Sequence, residues 1–82
     1  MTGDELKRHI TATPFRPFRV HVADGRDISV QARDFILLSP SGRMAYIFQP
    51  DDSHDVLDVL MITGIHFTAP AGANGQAQST NP

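Results

Sequence analysis

The segment Pro14-Phe15-Arg16-Pro17-Phe18-Arg19-Val20-His21-Val22-Ala23-Asp24-Gly25-Arg26 constrains the fold more than any other part of the chain. Proline fixes φ, lacks an amide hydrogen and biases the residue before it toward extended backbone, so Pro14 and Pro17 end any helix that reaches them. Beyond Pro17, Phe18, Val20 and Val22 alternate with Arg19, His21 and Ala23, the period of a strand with one buried face. Asp24-Gly25 then predicts a tight hairpin of the type I′ class, in which glycine supplies the positive φ. On the returning strand, residues 26–31, Ile28 and Val30 face inward while Asp27, Ser29 and Gln31 face outward.

Upstream of the prolines, Thr2-Gly3-Asp4-Glu5 has the form of a capping box, with Thr2 as the cap and Glu5 three residues on. Asp4 and Glu5 fall at the positive end of the helix dipole and Lys7, Arg8 and His9 nearer its negative end. Leu6, His9 and Ile10 share one face at helical spacing. A helix this short is not stable alone, so that face must dock on the rest of the chain.

Downstream, the chain reads as further strands. Residues 35–38 form an apolar run, Phe35-Ile36-Leu37-Leu38, without alternation, as in a strand covered on both sides or lying in an oligomer contact. Ser39-Pro40-Ser41-Gly42-Arg43 is a turn built from turn-forming residues. In the strand at 44–49, Ala45, Ile47 and Gln49 lie on one side and Met44, Tyr46 and Phe48 on the other, so both sides are substantially apolar. Residues 50–54 form a loop. At 55–62, Leu57, Leu60 and Met61 suit a helix capped by Ser53, whereas the β-branched residues favour a strand broken by a tight turn at 60–63, with a last strand at 64–67. The strand is expected. Residues 69–82 carry no charge and no large apolar side chain, the composition of a disordered tail.

One domain, residues 1–68, is therefore expected: mainly β, with a short N-terminal helix followed by a five- or six-stranded antiparallel small barrel of SH3-like or Sm-like kind. Closure of a barrel would remove the exposed edges of a short meander. A core this small is marginal, and the absence of cysteine excludes disulfides and thiolate-bound zinc, leaving packing and self-association as sources of stability. No apolar run is long enough to span a bilayer, and the acidic start is unlike a basic signal peptide, so no membrane association and a cytoplasmic location are expected. Net charge is −2, but all seven basic residues precede Met44, and the acids Asp51, Asp52, Asp55 and Asp58 follow it. Such asymmetry permits head-to-tail docking between copies, or simple cancellation within one folded unit.

The residue types needed for catalysis are present but not in catalytic patterns. Four histidines, His9, His21, His54 and His66, match no compact metal motif and read as separate surface residues. The acids around His54 lack the ligand order and central glycine of a calcium loop. Ser39, Ser41 and Ser53 all lie in turns, where serine bonds local backbone. Neither enzymatic activity, nor a cofactor, nor a metal is expected. Six of the seven basic residues are arginine, the side chain suited to forked phosphate contacts. Arg19, Arg26 and Arg43 form a candidate RNA-binding rim if the two turns flanking them share one end of the barrel; the same arginines can instead pair with Asp24, Asp27 and Asp34.

The combination of the Pro14 to Arg26 segment, the Phe35 to Arg43 run and Asp58-Val59-Leu60-Met61-Ile62-Thr63-Gly64-Ile65 resembles a family of short bacterial proteins to which no activity or site is attached. The order of elements is also similar to that of Sm-like and SH3-like small barrels, a likeness of fold that does not itself carry function. The surplus of apolar residues on both faces at 35–38 and 44–48 points to a binding module acting through Phe35, Leu37, Tyr46 and Phe48 on a second copy of the chain or another protein. The alternative is an Sm-like RNA-binding ring that uses Arg19, Arg26 and Arg43.

Overall fold

The computed structural model describes residues 1–68, so the expected disordered tail at 69–82 lies outside the described residues. Helix α1 (Gly3–Thr11) begins as the capping box requires: the Thr2 hydroxyl accepts from the Glu5 amide at 3.2 Å, and Glu5 accepts from the Thr2 amide at 2.9 Å. Its C-terminal carbonyls are satisfied from outside the helix. The Arg33 guanidinium donates to the Ile10 and Ala12 oxygens at 2.8 and 2.6 Å, meeting acceptors that no residue of the helix can reach.

Six strands follow: β1 (Phe18–Val22), β2 (Asp27–Val30), β3 (Ile36–Leu38), β4 (Met44–Phe48), β5 (His54–Asp58) and β6 (Ile62–Phe67). They form two antiparallel sheets of three strands each, in the orders β2-β1-β6 and β3-β4-β5. Between them lies one core, made by Phe18, Val20 and Val22 of β1, Ile28 and Val30 of β2, Ile36, Ala45, Ile47 and Leu57 of the second sheet, and Val59 and Ile62 at the crossing. Leu6 of α1, with no exposed surface, enters the same core. The alternation expected in β1 and β2 is therefore borne out at every inward position.

Six strands after one helix agree with the expected architecture, but among the described residues a closed barrel does not form. Among the described residues no ladder joins the two sheets, because the chain breaks at each place where a strand would bend from one into the other. One break is a 3-10 turn at Arg33–Phe35, which takes Phe35 out of the strand it was expected to begin. The second is a 3-10 turn at Val59–Met61, held by the Asp58 carboxylate, which accepts from the Leu60 amide at 2.9 Å. The region 55–62 is thus strand as far as Asp58, and its turn comes one residue before the expected 60–63. Single bonds tie the sheets instead: Gln49 Nε2 donates to the Ser29 oxygen at 3.0 Å, and the Arg26 guanidinium to the Asp55 carboxylate at 3.4 Å.

The β1–β2 hairpin also differs from the type I′ turn. The Gly25 amide donates to the Val22 oxygen at 2.9 Å, and only Gly25, at φ 97°, is left-handed; Asp24 is not. This is a type I turn followed by a left-handed residue, the usual three-residue hairpin loop. The β4–β5 loop repeats it, with Asp52 at φ 71° in the place Gly25 occupies and its amide donating to the Gln49 oxygen at 3.0 Å.

Candidate protein interface

The outer face of the β3-β4-β5 sheet carries what the sequence leaves without a core to enter. Register places Leu37 opposite Tyr46 and Tyr46 opposite Val56, one row running straight across three strands. Leu37 is 62% exposed and Val56 42%, while Tyr46 between them is half-buried by its neighbours. The next row pairs Phe48, 39% exposed, with His54, their rings 5.6 Å apart. On the other flank Met44 faces Asp58, whose carboxylate lies 3.6 Å from the Arg43 guanidinium. Alternation in an antiparallel sheet normally puts polar side chains on the solvated face. Here the central row is apolar throughout.

Of the four expected interface residues, Leu37, Tyr46 and Phe48 share this face. Phe35 is half-buried in its 3-10 turn, one residue before the Ile36–Ile47 pair that opens the β3–β4 ladder, so it is at the margin of the face and not on the strand. Val56 was missed; its alternation with Leu57 was obscured by the competing helical pattern at 55–62. Leu37 also borders a groove of about 380 Å³ between α1 and β3, lined by Lys7, Ile10, Leu38, Ser39 and Pro40 among others.

The three candidate RNA-binding arginines do not stand as free cations. Arg19 bonds Asp27; Arg26 bonds Asp24 at 2.8 Å and reaches Asp55 at 3.4 Å; Arg43 pairs with Asp58. The bond to Arg19 holds the Asp27 carboxyl below its ordinary pKa, and the Arg26 backbone amide does the same, foremost, for Asp24. The expected pairings with Asp24 and Asp27 are thus formed, whereas the one with Asp34 is replaced, Arg33 beside it being spent on the end of α1.

The histidines divide into two kinds. His9 packs its ring edge-on to Phe67, centroids 5.5 Å apart, beside the core Phe18, and His54 stacks near Phe48. His21 and His66, read as separate from the sequence, come together across β1 and β6 with ring centroids 4.9 Å apart. Among the described residues no group of three or more histidine, cysteine or acidic side chains is arranged to hold a metal ion, and no helix is long and apolar enough to cross a membrane. Comparison with protein-family models, with curated proteins and with solved structures finds no match for this chain.

Proposed function

We propose that this chain is a non-enzymatic binding module of the cytoplasm that associates with copies of itself through the outer face of the β3-β4-β5 sheet. The observation that carries the proposal is the row Leu37–Tyr46–Val56, continuous across three strands and exposed at both ends. Covering a side chain such as leucine or phenylalanine is worth about 1.5–3 kcal/mol each, which a solvated sheet face forgoes. The order helix, hairpin, three-strand meander, one-turn helix and return strand supports an SH3-like or Sm-like relationship of fold, from which no function follows by itself.

The test is the double substitution Leu37→Ser with Phe48→Ser. Both side chains are exposed, so the fold survives and the circular dichroism spectrum is unchanged, while sedimentation shows the loss of the oligomer. A monomeric parent chain, or a variant that associates as the parent does, overturns the proposal. An RNA-binding ring using Arg19, Arg26 and Arg43 is less well supported, because RNA phosphates would have to displace an intramolecular carboxylate from each guanidinium.

A further inference from the structure

The outer face of the β2-β1-β6 sheet carries titratable side chains in its central rows, where the other sheet carries the apolar row Leu37–Tyr46–Val56. β1 presents Arg19 and His21, β2 presents Asp27 opposite His21, and β6 presents His66 opposite Arg19. Opposite His21 itself, β6 has Gly64, at which an added Cβ would meet nothing within 4 Å, so the space beside the His21 ring is open on that side. The two histidines are diagonal neighbours on paired antiparallel strands, a separation within reach of their side chains and held by the ladder. Their rings stand nearly perpendicular, at 86°.

We infer that His21 and His66 form a two-nitrogen chelate for a late first-row divalent cation such as Zn²⁺. An imidazole nitrogen sits about 2.0–2.1 Å from zinc, which puts the ring centre roughly 3.2 Å from the metal along the same line. Two imidazoles bound to one ion at angles between about 90° and 110° then have ring centres about 4.5–5.2 Å apart. The observed spacing, 4.9 Å, lies inside that window, so the ion asks for ring rotation and not for backbone movement. The His21 side chain is 44% exposed, and the imidazole torsion about Cβ–Cγ is soft, which permits the rotation.

Asp27 of β2 flanks His21 on the side away from His66. Asp27 Oδ1 lies 3.8 Å from His21 Nδ1, so a small ring rotation would let Nδ1–H donate to the carboxylate and leave Nε2 for the metal, the arrangement in which metal-bound histidines are generally held. Arg19, on the same face, is bound to the same carboxylate, so its charge is compensated where the ion would sit. With two protein ligands, water completes the coordination and the ion exchanges readily, unlike a closed structural site. This site is on the opposite sheet from the proposed interface and stands whether or not the chain associates.

The test is a Zn²⁺ titration of the full chain near neutral pH, read by calorimetry and by the imidazole proton resonances, with the variants His21→Ala, His66→Ala and the double. A chelate predicts one ion per chain, shifts confined to His21 and His66, and a loss of affinity of at least tenfold in each single variant that the double variant does not deepen. Binding that survives either single substitution, shifts centred on His9 or His54, or no uptake overturns the inference. A shared fold among the variants is checked by circular dichroism, and His9→Ala is expected to bind as the parent chain does.

Discussion

Replacing Gly3 by alanine tests how α1 is seated. A Cβ at Gly3 would lie 2.6 Å from the Gly42 oxygen and 2.9 Å from its Cα, both backbone atoms of the β3–β4 turn, where ordinary contact begins at 3.4 Å. The helix start must then retreat by roughly 0.8 Å, a gap that forfeits a quarter to a half of the dispersion attraction of the atoms it separates. What it separates is the docking of Leu6, fully buried, on which a nine-residue helix depends for its existence. Inserting one methyl group into such a contact costs about 1–3 kcal/mol. Stiffening of the unfolded chain by alanine offsets about 0.4–1 kcal/mol of this. Gly64→Ala is the control. It makes the same change to the unfolded state at a strand position with open space and no positive φ, so it is neutral or stabilising. The two variants should therefore differ by about 2 kcal/mol, which for a domain of this size separates their melting temperatures by about 8–16 °C. Thermal unfolding followed by circular dichroism reads this directly. A Gly3→Ala chain that melts with or above Gly64→Ala would show that the helix start does not rest on the β3–β4 turn.

Other consequences follow from the same geometry. Asp52→Gly relieves the left-handed backbone of the β4–β5 loop and should raise stability by about 0.5 kcal/mol, whereas Gly25→Ala should lower it by about 1 kcal/mol, both measurable by urea unfolding. Glu5, Asp24, Asp27 and Asp51 all have pKa values lowered from 4.5 or 3.8 in the folded chain, Glu5 foremost by the Thr2 amide and Asp51 foremost by the Ser53 hydroxyl. Groups depressed on folding contribute stability above their unfolded pKa and lose it as pH falls through the folded value. Urea midpoints should thus be insensitive to these groups between pH 7 and 5 and decline below about pH 4.5. Thr2→Ala, which removes the hydroxyl half of the capping box, should lower the midpoint at pH 7. Simultaneous Arg19→Ala, Arg26→Ala and Arg43→Ala should change single-stranded RNA affinity by less than twofold at low salt in fluorescence anisotropy, because these cations are already paired; a large, salt-dependent loss would favour the RNA-binding reading.

Local signals in the sequence carried far. The capping box at Thr2 and Glu5, the stop at Pro14 and the alternation from Phe18 to Val30 each depend on neighbours a few residues away, and each appears in the fold where those signals put it. The breaks at Arg33–Phe35 and Val59–Met61 were harder to read, because apolar runs such as 35–38 give no period from which a 3-10 turn and a strand can be told apart. Those two breaks decide whether the sheets merge, so barrel closure was not legible either. The apolar outer face was half visible: Leu37, Tyr46 and Phe48 were marked by apolar residues on both sides of their strands, but Val56 joins them only through the β4–β5 register. Pairings set by tertiary structure left the weakest trace. Nothing near His21 in the chain announces His66, and Arg26 finds Asp55 only once the sheets are stacked.

The most direct test of the account is the solution mass of the full chain by light scattering, taken across a range of concentrations at low and at moderate salt. Association through the Leu37–Tyr46–Val56 row predicts a mass that is a multiple of the single chain, holds or strengthens as salt rises, and falls to one chain on Leu37→Ser with Phe48→Ser. A single-chain mass at every concentration would contradict it.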